Sequence, residues 1–234
     1  MIETFIEKIK PHIKGRDINT IYEVGSRDCL QAIEFNGAFP SAKVISFEPN
    51  PYSIQVCKQN IANHPNIQLV EKAVSNHNGI VKFFPISISQ SPIWNPGASS
   101  MKKITPLYKT RENLIQEETE VPCVRLDTWI LDSGHWIPDL LWIDAQGMTL
   151  EVIKGLGNFL NGVYAINFEA EMQEMYEGEA LFPEIHEYLT LNGFTYVHGN
   201  TKEKWFTDFI YVNSQIYRPT INSKPYLMYS ASHE

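Results

Sequence analysis

Hydrophobic positions along this chain fall into short solid runs separated by stretches with a three-to-four-residue repeat. Thr20 to Gly25 (TIYEVG) is a run of strand formers ending in a turn glycine, and Cys29 to Phe39 carries a helical repeat. Ala42 to Glu48 (AKVISFE) predicts a second strand, stopped by Pro49-Asn50-Pro51, with a helix from Tyr52 to Ala62 behind it. Ile67 to Val74 predicts a third strand, and Asn78-Gly79 a turn into Ile80 to Phe84. Leu140 to Asp144 (LLWID) reads as the next buried strand. The helix after it spans Thr149 to Leu160, with Leu150, Ile153, Leu156 and Leu160 on one face and Gly162 just past its end. Tyr164 to Phe168 is a fifth strand, Phe182 to Leu191 a helix closed by Asn192-Gly193. Phe194 to Val197 and Thr207 to Val212 form a terminal antiparallel pair. At the N-terminus Ile2, Phe5, Ile6, Ile9 and Ile13 give a short helix, broken at Pro11, that closes over the core.

Strands alternating with helices imply βαβ units, and right-handed crossovers turn these into an α/β, doubly wound, mostly parallel Rossmann-like sheet. Ligands of such sheets bind outside the carboxyl ends of the strands. Those ends carry Glu23 and Gly25, Glu48, Ala73 and Val74, Asp144, and Glu169. Ser87 to Glu120 shows no clear period, is rich in Pro, Gly and Ser, and ends in the acidic run Glu117-Glu118-Thr119-Glu120. A loop of that length is expected to be a lid or binding loop. The expectation is one domain over 1–234, with an N-terminal helix in 1–19, a variable loop or lid at 87–120 and a C-terminal arm at 213–234. Tyr217, Tyr226 and Tyr229 would pack that arm on the domain or on a neighbour in a homo-oligomer.

Composition narrows the function classes. With 43% hydrophobic and 20% charged residues the chain is ordinary globular protein, and a net charge of −8 argues against binding nucleic acid. Three scattered cysteines suit no disulfide framework or zinc knuckle, so a reducing, cytoplasmic compartment is expected. No run approaches the roughly 18 apolar residues of a membrane span, and Glu3, Glu7 and Lys8 interrupt any signal-peptide core.

Two constellations carry candidate chemistry. In the first, Glu23-Val-Gly25-Ser26-Arg27-Asp28 precedes Glu48 by one βα unit. A glycine after the first strand admits a ligand close to the backbone, and an acid ending the second accepts both hydroxyls of a ribose. The pattern suits an adenosine-containing cofactor. Without G-x-G-x-x-G or a P-loop it does not suit a dinucleotide, which disfavours a nucleotide-linked oxidoreductase. The plainer alternatives are a turn glycine, a solvated Glu48, and Ser26 and Asp28 as helix caps. Glu23, on an apolar strand, needs a partner, and a ligand ammonium would serve. In the second, Asp144-Ala-Gln146-Gly147 pairs with Asn167-Phe-Glu169-Ala-Glu171 after the next strand. If the strands are neighbours, Asp144 and Glu169 share a cleft, where they would hold a divalent cation such as Mg²⁺ or act as a base. The alternatives are Asp144 as a helix cap and Glu171 on the surface. His135, His186 and His198 are further bases by residue type, and Trp94, Trp142 and Trp205 further pocket walls, each with a plain surface or core reading.

These segments resemble the FkbM-type family of S-adenosylmethionine (SAM)-dependent O-methyltransferases. Tyr22-Glu-Val-Gly-Ser-Arg-Asp-Cys29 is similar to the family's first motif, and Val44-Ile-Ser-Phe-Glu-Pro-Asn-Pro51 to its second-strand motif. Leu126-Asp-Thr-Trp129 is similar to a further element, and Ile143-Asp-Ala-Gln-Gly147 through Lys154-Gly155 to its I-D-x-[EQ]-G…L-K-G block. The likeness runs from about 20 to 212. It implies that Glu23 faces the amino end of SAM, that Gly25 with Ser26 lines its carboxylate, that Arg27 belongs to the same cofactor-binding turn, and that Glu48 holds the ribose. It also implies that residues near Ala73 frame the adenine and that Asp144 lies nearest the sulfonium and a hydroxyl acceptor of glycan or secondary-metabolite type. Two positions depart: Cys29 stands where a second glycine usually falls, and Thr149 where the family often has glutamate. A protein of this fold that keeps SAM without turning it over is the alternative those departures leave open.

Overall fold

The computed structural model describes residues 2–13, 15–92 and 95–215. Trp94 and the arm residues Tyr217, Tyr226 and Tyr229 lie outside them. Seven strands form one sheet in the order β3-β2-β1-β7-β8-β10-β9. They are β1 (Thr20–Val24), β2 (Lys43–Phe47), β3 (Ile67–Val70), β7 (Leu140–Ile143), β8 (Ala165–Glu171), β9 (Phe194–His198) and β10 (Phe206–Asn213). The first five named run parallel; β10 pairs antiparallel with β9, the terminal pair the chain's pattern predicted, and also with β8. The chain runs from β1 outward through β2 and β3, then returns to β7 on the other side of β1. The order therefore reverses between β1 and β7, where a doubly wound sheet opens a crevice.

Alternate residues of each strand serve different layers. Tyr22, Phe47, Ile143 and Phe168 face α5 (Leu126–Ser133), α6 (Thr149–Gly155) and α7 (Phe182–Leu191). Ile21, Val44 and Trp142 face α1 (Ile2–Ile9), α2 (Leu30–Ala38) and α3 (Pro51–Asn60). Phe5 of α1 stands edge-on to Phe35 and Trp142, with centroids 6.1 and 5.9 Å apart, so the N-terminal helix closes this layer. Trp142 is thus a core residue, 3% exposed.

Two sequence expectations need correction. The run Ile67 to Val74 is two strands: a tight turn, Lys72 N donating to Val70 O at 2.8 Å, separates β3 from β4 (Ala73–Ser75). Strand β4 joins β5 (Gly79–Phe83) and β6 (Thr119–Arg125) in a second sheet, ordered β4-β6-β5. The helix expected over Thr149 to Leu160 ends at Gly155 and gives way to a 3₁₀ segment, Gly157–Gly162, because Gly157 turns left-handed at φ +51. The segment 87–120 carries, among its described residues, a small core of its own. It holds a 3₁₀ turn (Pro96–Ala98), α4 (Pro106–Glu112), capped by the Thr105 hydroxyl, and the start of β6. Ile86, Ala98, Ile104, Tyr108 and Leu114 pack there against Met175 and Tyr176 from the loop after β8.

Candidate functional site

The carboxyl ends of β1, β2 and β7, with the start of β4, surround a cleft of about 660 Å³ including its open mouth. Gly25, at φ +84, makes the closure possible: a Cβ there would lie 1.8 Å from the carbonyl oxygen of Asp144. It is a close-approach glycine, since the end of β7 occupies the space a side chain needs. Amides of Gly25 and Ser26 donate to Phe47 O at 3.0 and 3.2 Å, tying the turn to the end of β2. Arg27 and Cys29 both sit left-handed, at φ 57 and 60, which aims the Arg27 amide at Glu48. Glu48 is 5% exposed; its Oε2 accepts from Arg27 N at 2.6 Å and its Oε1 from Asn50 N at 2.8 Å. One wall is apolar, with Phe47, Val74, Phe83, Met101 and Met148; Arg27, Glu48, Ser99, Asp144 and Gln146 line the polar side.

The sequence-predicted residues gather here with two qualifications. Gly25, Ser26, Arg27, Glu48, Ala73 and Asp144 all line the cleft. Glu23 does not: it lies beneath, 1% exposed, taking a 2.5 Å hydrogen bond from Ser26 Oγ on Oε2 while its buried Oε1 has no partner. Burial pushes Glu23 up to about 7, against the Ser26 and Ser46 hydroxyls. It pushes Glu48 up to about 7, against the two amides, and Asp144 up to about 6, against the Gln146 amide. Ser26 serves Glu23 and does not cap α2, whereas Asp28 Oδ1 accepts from Leu30 N at 3.1 Å.

Asp144 and Glu169 are linked through a third group, but Glu169 does not line the cleft the two were expected to share. Gln146 Nε2 donates to Asp144 Oδ1 at 2.5 Å and to Glu169 Oε1 at 2.9 Å. Asp144 caps nothing: the N-cap position of α6 is Met148. Gln146 Nε2, a hydrogen-bond donor, stands between the two carboxylates. Among the described residues no group of three or more His, Cys, Asp or Glu is spaced to hold a metal. Burial raises Glu169 well above the usual carboxylate range, with the charges of Asp144 and Glu171 adding to it. Glu171, expected at the surface, is 2% exposed beside Glu179. None of the candidate histidines lines the cleft: His135 stacks on Trp129 at 4.7 Å, while His186 and His198 are exposed. Trp205 is half-buried under the Arg111 guanidinium, 3.9 Å from the ring centre. Sequence reasoning missed Tyr176, whose buried hydroxyl donates to Gln146 Oε1 at 2.6 Å, and Ser100, whose hydroxyl donates to Gln146 O at 2.6 Å. Neither belongs to a periodic run, so only the Pro, Gly and Ser richness around Ser100 pointed there.

Comparison with known proteins identifies the family and the fold. Residues 23–196 match the family model described as the methyltransferase FkbM domain. The 2-O-methyltransferase NoeI of Sinorhizobium fredii (strain NBRC 101917 / NGR234) is 29% identical over 160 residues. The match takes in 68% of this chain and 66%, just under two thirds, of that protein's length. Among solved structures, an rRNA methylase from Streptococcus thermophilus superposes with a TM-score of 0.50 at 10% identity, covering 92% of this chain and 96% of that one. At that identity the likeness speaks to the fold, which is the class I SAM-methyltransferase fold.

Proposed function

The chain belongs to the FkbM methyltransferase family, and from that premise we propose that it transfers the methyl group of SAM to a hydroxyl oxygen of a glycan or secondary metabolite. The observation that carries this reading is the pair of carboxylates, Glu48 and Asp144, lining a cleft with apolar side chains, with Glu23 buried beneath it. Such carboxylates are costly unless a ligand brings cationic or hydrogen-bond-donating groups to them. The name of the similar 2-O-methyltransferase favours a hydroxyl oxygen as the acceptor. The three cysteines are free and buried, which suits a reducing, cytoplasmic setting. Among the described residues no helix is long and apolar enough to cross a membrane.

When bound, SAM supplies a methyl group on a sulfonium whose charge vanishes on transfer. In the proposed site Glu48, rigidly held by two amides, accepts both ribose hydroxyls, and the Phe47, Val74 and Met148 side chains flank the adenine beside Ala73. Gly25, Ser26 and Arg27 present backbone and guanidinium groups to the carboxylate end. Glu23 acts from beneath through Ser26, stabilising the ammonium. Asp144 is the general base for the acceptor hydroxyl, and Glu169 its neighbour. With burial raising it to about 6, Asp144 is a stronger base than an ordinary aspartate yet ionised above neutral pH.

The test is methyl transfer from isotope-labelled SAM to a panel of neutral mono- and oligosaccharides, with S-adenosylhomocysteine (SAH) release followed in parallel. Asp144→Asn should lower turnover by ~100-fold or more, with SAH binding retained. Failure of the wild-type protein to bind either SAM or SAH in calorimetry would overturn the reading.

A further inference from the structure

We propose that Gln146 is the positioning residue of this site: its carboxamide holds the Asp144 and Glu169 carboxylates in one fixed arrangement, and Tyr176 fixes the carboxamide. The reaction named is the one proposed above; the arrangement itself stands on geometry alone. An ionised carboxylate only accepts hydrogen bonds, and a primary amide has two N–H donors. Gln146 gives one to Asp144 Oδ1 at 2.5 Å and the other to Glu169 Oε1 at 2.9 Å, and its Oε1 accepts from Tyr176 at 2.6 Å. Turning the amide over would set its carbonyl oxygen against the ionised Asp144 carboxylate, which favours the orientation seen.

The backbone makes that reach possible. Gln146 and Gly147 are successive left-handed residues, at φ 45 and 77, and they fold residue 146 back over Asp144. A Cβ on Gly147 would lie 2.6 Å from Glu179 Oε2, so the loop after β8 sits directly on this turn. Glu179 Oε1 in turn accepts from Tyr176 N at 3.0 Å, and the Tyr176 ring stands edge-on to Tyr108 of α4 at 5.6 Å. The Ser100 hydroxyl holds the Gln146 carbonyl. Segment 84–116 and the loop after β8 therefore brace the base: Asp144 Oδ1 is tied back, and Oδ2, which accepts no hydrogen bond among the described residues, is left for the cleft. The other charges facing Asp144 are Arg27 from the β1–α2 turn, Glu48 after β2, Glu169 and Glu171 on β8, and Asp208 on β10.

The experiment compares wild type with Gln146→Met, which keeps the length of the side chain but has no donor, and with Tyr176→Phe, which keeps the ring. Carboxyl-carbon NMR titration reads Asp144 and Glu169, assigned through their Asn and Gln variants, and calorimetry reads the Kd for SAH. In Gln146→Met the Asp144 midpoint should rise by about one pH unit, the loss expected for a hydrogen bond to a charged group, with the SAH Kd within about threefold of wild type. Tyr176→Phe should move it the same way by less. A folded Gln146→Met with an unmoved Asp144 midpoint overturns the proposal, as does loss of SAH binding in step with the titration change. If Gln146→Met does not fold, an unmoved midpoint in Tyr176→Phe overturns it instead. Wild-type protein that binds no SAM or SAH refutes the methyltransferase reading and leaves the titration result to decide this one.

Discussion

Replacing Gly25 with alanine tests the contact on which the cleft is built. The new Cβ would arrive 1.8 Å from the Asp144 carbonyl oxygen, where real Cβ atoms keep at least 3.0 Å. The obstacle is backbone. Asp144 N donates to Val24 O at 2.8 Å and Gly25 N to Phe47 O at 3.0 Å, so the ends of β1, β2 and β7 are locked together and must part by about 1 Å. Forcing alanine to φ +84 adds ~1–2 kcal/mol, overpacking adds ~1–3, and a strained strand-end hydrogen bond adds ~1. The sum is roughly 3–6 kcal/mol, or a melting temperature lower by about 6–24 °C for a chain of this size. Gly37→Ala is the matched control. Gly37 lies within α2 with nothing within 4 Å of its Cβ, so the same added methyl should stabilise by up to ~1 kcal/mol. Thermal melts of the two variants, with SAH calorimetry on each, decide the matter. A Gly25→Ala protein that melts within about 3 °C of wild type and binds SAH normally would refute the reasoning.

Three further outcomes follow from the same carboxylates and their neighbours. Burial raises Glu23 and Glu48 to about 7 and Asp144 to about 6, so the folded ligand-free protein holds protons that the unfolded chain releases above pH ~4. Its stability should fall as pH rises from about 5 through 7, and melts at pH 5.5 and 8 that coincide would contradict those shifts. Glu48→Gln sets an amide N–H₂ against a backbone N–H and removes the charge facing the ribose; calorimetry should show SAM binding weaker by ~10-fold or more, and an unchanged Kd would take Glu48 out of the cofactor site. Thr149→Val deletes the bond from Thr149 Oγ1 to Glu169 O (2.8 Å) that ties α6 to β8, which should cost ~1 kcal/mol and lower the melting temperature by about 2–4 °C in differential scanning fluorimetry.

Where periodicity and layer agree, the sequence is easy to read. Strands β1, β2, β7 and β8 are short apolar runs because both their faces are covered, and each is followed by a helix whose repeat is plain. Reading fails where a tertiary contact overrides an unbroken pattern. Nothing in Ile67 to Val74 shows a turn, because Val70 and Ala73 are buried on both sides of it, in two different sheets. Strand β6 is hidden by Pro122, which faces Ile80 between the paired residues Val121 and Cys123. The end of α6 is decided by Gly155, whose Cβ would lie 2.4 Å from Ser75 O, and by Gly157 against Asp127; both partners come from elsewhere in the fold.

The site shows the same division more sharply. Residues that end strands announce themselves by position, and Gly25, Glu48 and Asp144 needed only the rule that ligands gather at carboxyl ends. Residues that hold those groups in place leave no such trace, because a supporting hydrogen bond has no period. Gln146 is three peptide bonds from a readable strand, yet its role depends on Tyr176, thirty positions away, and on Ser100 in the segment with no pattern. The two departures from the family's motifs are explained in these terms. Cys29 takes the left-handed conformation a glycine would take there, at φ 60. It turns its thiol into the buried layer with Ala32 and Phe35, 3.1 Å from Ser26 Oγ, and lies outside the cleft lining. Thr149 spends its hydroxyl on the Glu169 carbonyl, so it fixes the strand that carries Glu169 without facing the ligand space. Both substitutions therefore fall on the scaffold behind the cleft, and the carboxylates that meet a ligand keep their surroundings.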